Sequence, residues 1–195
     1  PLDDEPPTAT VALASDHAIV ADRQYAASSD VSLSLTASDN RTSSDSLQVF
    51  LRNEGEEWSA ARLFETPMLW TLTPGEGERV FDLRFVDEAG NETTERSRVV
   101  IDTAPPKIAH QPVTLVDQHA AIAITADVSD AAPVVVRLHY RPGGRAAYIA
   151  TDMSGDGTYH ASISAFDASL GVAYYVEAED ALGSVTRFPA DGEES

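Results

Sequence analysis

The sequence predicts an all-β chain of two tandem sandwiches, and three observations carry that prediction. The phrase apolar-Asp-x-x-Pro-Pro occurs twice, as LDDEPP at residues 2–7 and IDTAPP at residues 101–106, with Asp3 and Asp102 99 positions apart. A fixed period of that size marks repeated modules. Apolar and polar residues alternate along many short segments, which is the period of a half-buried strand. Turn residues punctuate those segments every ~8–12 positions, and no stretch sustains the 3.6-residue period of a helix.

In the first half, Asp30–Ser38 sends Val31, Leu33, Leu35 and Ala37 to one face and Ser32, Ser34 and Thr36 to the other. Ser46–Arg52 repeats the pattern with Leu47, Val49 and Leu51 inward, and Pro67–Thr73 gives a third strand that ends in the turn Pro74–Gly77. Arg79–Phe85 turns Phe81, Leu83 and Phe85 inward, and Arg96–Asp102 closes the set. The second half replays this order. His119–Val128 carries Ile122, Ile124, Ala126 and Val128 on one face, and Val134–Tyr140 carries Val134, Val136, Leu138 and Tyr140. Short strands follow at Ala147–Asp152, Tyr159–Ile163, Val172–Glu179 and Ser184–Phe188, with turns at Pro142–Gly144, Ser154–Gly157 and Ala181–Gly183.

About seven strands in each ~100 residues is the content of an immunoglobulin-like sandwich. The expected division is a linker from a preceding module at 1–5, one sandwich at 6–103, a second at 104–190 and a tail at 191–195. The repeated Asp-x-x-Pro-Pro phrase is then a short interdomain joint, because Pro-Pro cannot continue a ladder and stiffens the link. Two copies of the joint imply a piece of a longer tandem array.

The charge excludes whole classes of partner. Against 32 acidic residues stand 13 basic ones, of which Lys107 alone is Lys, for a net charge of −19. Phosphate backbones and anionic lipids are bound by clustered cations, so neither nucleic acid nor a charged membrane surface is expected. The balance suits a monomer and the binding of hard cations. The apolar-looking stretch Ala120–Ala126 falls far short of the ~20 residues that span a bilayer. With no Cys, disulfides, thiolate nucleophiles and Cys-ligated metals are excluded.

The run from Arg79 through Asp87-Glu-Ala-Gly-Asn91 to Ile101-Asp-Thr-Ala-Pro105 resembles the tandem Ig-like domains of bacterial surface and secreted proteins, in which an Asp-x-x-Gly-Asn turn joins the last two strands. In the second half, Leu170–Asp180 followed by Gly183 is similar to the fibronectin type III pattern, with Tyr174 at the tyrosine corner and Val176 and Ala178 inward after it. The second half lacks the usual Trp of the second strand region, so it is fibronectin type III-like. The resemblance implies a fold class of two tandem Ig-like/fibronectin type III-like β-sandwiches. It also implies an extracellular or cell-surface setting, and Ca²⁺ at the joints as in similar bacterial and cadherin-type arrays.

No catalytic motif is present: there is no G-x-S-x-G, H-E-x-x-H, Walker loop or G-x-G-x-x-G, so no enzyme is expected. Histidines 17, 110, 119, 139 and 160 lack metal-site spacing, and His139 and His160 read as outward strand positions. Asp152–Gly157 imitates the start of an EF-hand loop, but position 12 falls on Ile163 and the flanks are strands. The metal candidates come from topology. In such a sandwich the second–third and sixth–seventh strand loops lie beside the incoming linker. This groups Asp3 and Asp4 with Asp39, Asn40, Asp87 and Asn91, and groups Asp102 with Asp127, Asp130, Glu179 and Asp180. Ca²⁺ gathers six to eight oxygens in this way; the alternative is that each Asp caps the turn amides of its own loop. Trp58 and Phe50, outside the core phase that holds Trp70 and Phe81, are candidate ring platforms for a glycan.

The function expected is a non-catalytic spacer or interaction (adhesion-type) region of a larger exported bacterial multidomain protein that meets protein or glycan on a cell surface. The competing expectation is a carbohydrate- or partner-binding accessory module of a secreted enzyme.

Overall fold

The computed structural model describes residues 3–15, 17–113, 120–169 and 171–190. His119, where one predicted strand begins, the first two residues of the expected linker and the expected tail at 191–195 lie outside them. Among the described residues no helix is long and apolar enough to cross a membrane. The chain divides into two compact units, Pro1–Thr103 and Ala104–Ser195.

The first unit contains β1 (Thr8–Leu13), β2 (His17–Val20), β3 (Arg23–Ala26), β4 (Asp30–Ser38), β5 (Gln48–Asn53), β6 (Arg62–Leu63), β7 (Met68–Thr71), β8 (Gly77–Val86) and β9 (Glu92–Ile101). They form a three-stranded sheet, β1-β4-β7, and a six-stranded sheet, β2-β3-β9-β8-β5-β6. Pairing is antiparallel except where β3 runs parallel to β9, with Tyr25 opposite Val100 and Ala26 opposite Ile101. The first segment thus serves both sheets, β1 on one and β3 on the other, as in immunoglobulin-like sandwiches. Leu33 and Leu35 of β4, Val49 and Leu51 of β5, and Phe81, Leu83 and Phe85 of β8 interlock between the sheets, all buried. These are the inward residues that the alternation predicts. Trp70 differs from expectation. It shares their phase but lies at the end of its strand, only partly buried, with its indole N–H on Asn53 Oδ1 at 3.0 Å.

The outer face of β1-β4-β7 is covered by hydroxyls. Thr10 and Thr36 meet across strands at 2.6 Å, Thr8 and Ser38 at 2.9 Å. The free edge of that sheet, β7, is capped by side chains: Arg62 Nη1 donates to the Leu69 carbonyl at 2.9 Å and Asn53 Nδ2 to the Thr71 carbonyl at 3.3 Å.

The second unit contains β10 (Lys107–His110), β11 (Ile122–Ser129), β12 (Val134–Pro142), β13 (Ile149–Asp152), β14 (Ser154–Asp156), β15 (Thr158–Ile163), α1 (Ala165–Ala168), β16 (Val172–Asp180) and β17 (Val185–Phe188). Its sheets are β10-β11-β15-β14 and β13-β12-β16-β17, the layout of a fibronectin type III-like sandwich. Ile124, Leu138, Ile163 and Val176 are fully buried between them. The EF-hand-like stretch is a hairpin. Gly155 lies at φ +152°, where an added Cβ would stand 2.0 Å from the Thr158 carbonyl oxygen. Only glycine fits that approach.

Tyr174 occupies the corner position, and its ring is 4% exposed. Its hydroxyl accepts from the Val113 N–H at 2.8 Å and lies 2.9 Å from His110 Nε2. His110 Nδ1 is 2.7 Å from the Thr125 carbonyl oxygen, which can only accept. In neutral His110 the proton therefore sits on Nδ1, and Nε2 receives the tyrosine O–H. Tyr175 points to the other face and stacks on His139, centroids 4.5 Å apart and planes 4° from parallel.

Two stability predictions arise from this packing. Leu35→Ala and Leu83→Ala should each lower unfolding free energy by about 2–5 kcal/mol in urea titrations, since both empty fully enclosed space; a loss under about 0.5 kcal/mol at both would refute the strand phases. Tyr174→Phe strands the Val113 amide and the His110 ring together, so a cost of about 1–3 kcal/mol is expected by the same measurement.

Candidate metal centres

In each unit a buried aspartate stands at the end of the penultimate strand, just after β8 in the first and as the last residue of β16 in the second. After β8, Asp87 opens the turn to β9: its N–H donates to Asn91 O at 3.1 Å and its Oδ1 accepts the Asn91 N–H at 2.8 Å. Asp180, the last residue of β16, builds the same turn: its N–H donates to Ser184 O at 3.0 Å, and its Oδ1 accepts from the amides of Leu182 and Ser184, both at 2.8 Å. Glycines at positive φ, Gly90 at 93° and Gly183 at 90°, complete the two turns. Both turns share an Asp-x-x-Gly spacing, Asp87 to Gly90 and Asp180 to Gly183. Both carboxylates are 5% exposed.

In the first unit, carboxylate oxygens of Asp3, Asp39 and Asp87 all lie within 4.8 Å of one another. Asp39 follows β4, and its Oδ1 accepts from the amides of Thr42 at 2.7 Å and Arg41 at 3.0 Å. Those donors, Thr42 first, hold its carboxyl below the ordinary aspartate range. Asp87 Oδ2 takes the Asn91 side-chain amide at 2.8 Å, which also reaches the Asp3 carbonyl. Asp39 Oδ2 and Asp3 Oδ1 are buried and accept no hydrogen bond among the described residues. Arg41 Nε lies 4.0 Å from Asp3 Oδ1. Capping and ligation are therefore compatible: turn amides fix one oxygen of a carboxylate and leave the other turned inward. Asp4 is exposed, and Asn40 pairs instead with Glu5 at 2.8 Å.

In the second unit, oxygens of Asp130 and Asp180 come within 4.8 Å of each other. Asp180 Oδ2 is buried and accepts no hydrogen bond among the described residues. Asp127 does not join them. It is an exposed β11 residue whose Oδ1 accepts from Thr158 Oγ1 at 2.7 Å, because the strand runs on to Ser129 and keeps Asp127 in its outward phase. Glu179 lies 3.2 Å from Arg137. Asp102 closes the first unit, 3% exposed, with its N–H on the Ala26 carbonyl at 2.9 Å.

Trp58 and Phe50 come together on the outer face of the six-stranded sheet, but under guanidinium groups. Arg84 lies 4.8 Å from the Trp58 ring centre and 4.6 Å from that of Phe50, and Arg52 lies 4.3 Å from Trp58. The ring faces that a sugar would use therefore already carry cation–π partners. Beside them, Arg52, Asp82 and Arg96 form one cross-strand row. Asp82 is 3% exposed, with Arg52 Nη2 at 2.8 Å and Arg96 Nε at 2.8 Å. In the second unit Arg137, Glu177 and Arg187 hold the same cross-strand places on β12, β16 and β17, with Glu177 2.7 Å from Arg187 while Arg137 lies on Glu179 and Asp152. These rows are not apparent from the sequence alone, since they need the register of three strands.

No known protein family matches the chain, and no curated protein does. Similar folds occur among solved structures. The fibronectin(III)-like modules of Clostridium thermocellum CbhA align over 90% of this chain and 88% of theirs, at 18% identity and a TM-score of 0.45. A 1.5-MDa bacterial ice-binding adhesin aligns over 93% and 62%, at 14% identity and a TM-score of 0.36. A Ca²⁺-stabilized adhesin of an Antarctic bacterium aligns over 95% and 48%, at 17% identity and a TM-score of 0.36. The chain thus spans less than two thirds of either adhesin chain.

The Asp82 row has a defined pH signature. Its hydrogen bond to Arg96, the largest influence, holds the Asp82 carboxyl below its usual range despite burial. A depressed folded value contributes stability above the unfolded aspartate value of about 3.9, and that contribution is lost as pH falls through the folded value. Asp82→Asn should therefore cost about 1–3 kcal/mol at neutral pH and flatten the acid limb of stability. Urea melts from neutral to acidic pH test this; an acid limb unchanged in the variant would refute it.

Proposed function

We propose that this chain is a non-catalytic arm of a larger exported bacterial protein, working outside the cell or on its surface in an adhesion-type setting, and that Ca²⁺ sets its stiffness. One observation supports this reading above the others: Asp3, Asp39 and Asp87 converge although nothing in their own turns requires all three. Asp3 precedes the first strand, Asp39 follows β4 and Asp87 follows β8. By the repeat, Asp102, Asp130 and Asp180 hold the corresponding places before β10, after β11 and at the end of β16. The same three points of the chain carry aspartate twice. That is the expectation for a ligand set tied to a repeating module.

The physical case is electrostatic. Unit charges 4 Å apart repel by about 1 kcal/mol in water and about 4 kcal/mol at the effective dielectric near a protein surface. Three carboxylates in one pocket therefore leave the incoming segment poorly held unless a cation sits among them. Ca²⁺ is a hard ion that accepts carboxylate and carbonyl oxygens in flexible geometry, which suits oxygens supplied by a linker and two loops. Oxygens of a linker and a sandwich bound to one ion would limit the swing of that sandwich on its linker, the property an extended arm needs. The chain's large net negative charge works in the same direction, since like-charged modules keep apart.

Thermal melts in EDTA and in millimolar Ca²⁺ test the reading. Calcium at 100 times its dissociation constant should add about 2.7 kcal/mol, a rise in Tm on the order of 10 °C for a unit of this size. Titration calorimetry should find one ion per sandwich, and Asp87→Asn should abolish the ion of the first unit. If Tm is the same in both buffers and no binding heat appears, the aspartates are turn caps and the metal reading is wrong.

A further inference from the structure

We infer that the first unit carries a binding surface for a neutral polysaccharide, made by the hydroxyl-covered face of β1-β4-β7 and the cleft at its Trp70 end. Two independent observations lead there. The cleft has a volume of about 910 Å³ and is lined by Trp70, Leu69, Asn53, Glu56 and Asp30, with serine hydroxyls around them. That is the size range of small-ligand sites, about 300–1,000 Å³, and its mixture of an aromatic ring with a few fixed polar groups is their usual chemistry. The polar groups are held in place before any ligand arrives. Buried Asn53 receives the Trp70 indole N–H at 3.0 Å and gives its own amide to the Thr71 carbonyl, while Asp30 Oδ1 accepts from Thr71 Oγ1 at 2.7 Å.

The second observation is the face that runs up to the cleft. In a chain of net charge −19, the outward positions of β1, β4 and β7 are Ser, Thr, Ala and Leu, with Asp30 at the cleft end the lone charged side chain among them. Cross-strand pairs fix the hydroxyls, Thr10 to Thr36 and Thr8 to Ser38, so part of their ordering entropy is already spent. The arginines of the first unit's strands belong to the other sheet, and Arg62 alone among them is seen to reach across, to the Leu69 carbonyl on the β7 edge.

Charge selects the ligand class. Among the described residues no cation lines the cleft, and it carries Glu56 and Asp30, so uronate, sialate or sulfated glycans would be repelled. A neutral chain of pyranose rings matches instead. One pyranose ring packs its apolar face on Trp70 inside the cleft, a neighbouring ring meets Leu69 round the β7 edge, and their hydroxyls exchange hydrogen bonds with the carboxylates, the amide and the Ser/Thr rows. This site is separate from the ring pair Trp58 and Phe50, whose faces the arginines occupy. It does not rest on the calcium reading, since none of the metal-candidate aspartates lines the cleft.

The test uses the whole chain on a panel of soluble neutral oligosaccharides (β- and α-glucans, mannan, xylan and chitin fragments), with a sulfated glycan and an arginine-rich peptide alongside. Saturable calorimetric binding to at least one neutral member is expected, with none to the sulfated glycan. Trp70→Ala should weaken it at least tenfold. Because Trp70 is partly buried, Ser34→Glu and Leu69→Asp on exposed positions of the same face serve as second variants, and each should weaken binding several-fold with an unchanged melting curve. Thr94→Glu, a matched new charge on the other sheet, should leave affinity within twofold. Absence of binding to every neutral glycan, binding only to the arginine-rich peptide, or glycan binding indifferent to Trp70, Ser34 and Leu69 alike would each overturn the proposal.

Discussion

Burial of alternating apolar faces, with no covalent tie between sheets, is the constraint on which both units depend. A sandwich of this size is often pinned by a disulfide across its core, and this chain has no cysteine. Leu33, Leu35, Leu83 and Phe85 must therefore hold β4 and β8 together by packing alone. Because side chains alternate with a period of two, a slip of one residue in any strand would exchange inner and outer faces. That requirement fixes register, and register in turn decides which polar side chains meet on the outside.

The outer faces differ because of it. On the six-stranded sheet of the first unit, register brings two arginines to one buried aspartate and lays guanidinium groups over Trp58 and Phe50. On the opposite sheet it brings hydroxyl to hydroxyl. The paired charges of one face are largely neutralised within the row, so the net negative charge of the chain resides in loops and strand ends. The carboxylates of Asp3, Asp39 and Asp87 are gathered there.

Much of this architecture was legible in the sequence, for identifiable reasons. Long strands with one wet face, such as Asp30–Ser38 and Arg79–Phe85, announce themselves by alternation. β1, β2 and β3 did not. β2 and β3 have only four residues each, and their turn is made by Ala21 and Asp22 at φ 49° and 65°, where glycine or asparagine would be the readable signal. Helix α1 is a single turn, shorter than one period of the pattern that would reveal it, and Ser164 caps it. At the candidate site, the Asp-x-x-Gly turns exposed Asp87 and Asp180, because a tight turn needs those residue types at that spacing. Asp127 is grouped with them by its closeness to the loop that follows its strand, although the alternation already sets it on the outward face opposite Ala126 and Val128. The structure carries β11 through Ser129 and leaves Asp127 on the strand's exposed side. The arginine rows and the Trp70 cleft depend on which strands neighbour one another, and sequence alternation carries no such information.

The capped edge of β7 bears on how such a chain behaves in company. When modules of one fold are strung along a single chain, each meets its neighbours at an effective concentration approaching millimolar, where open strand edges invite exchange and aggregation. Arg62 and Asn53 occupy the Leu69 and Thr71 carbonyls that an intruding strand would need. The two caps differ in their second duty: Asn53 is buried and also holds the Trp70 indole N–H, whereas Arg62 lies outside the core and serves the edge alone with Glu65.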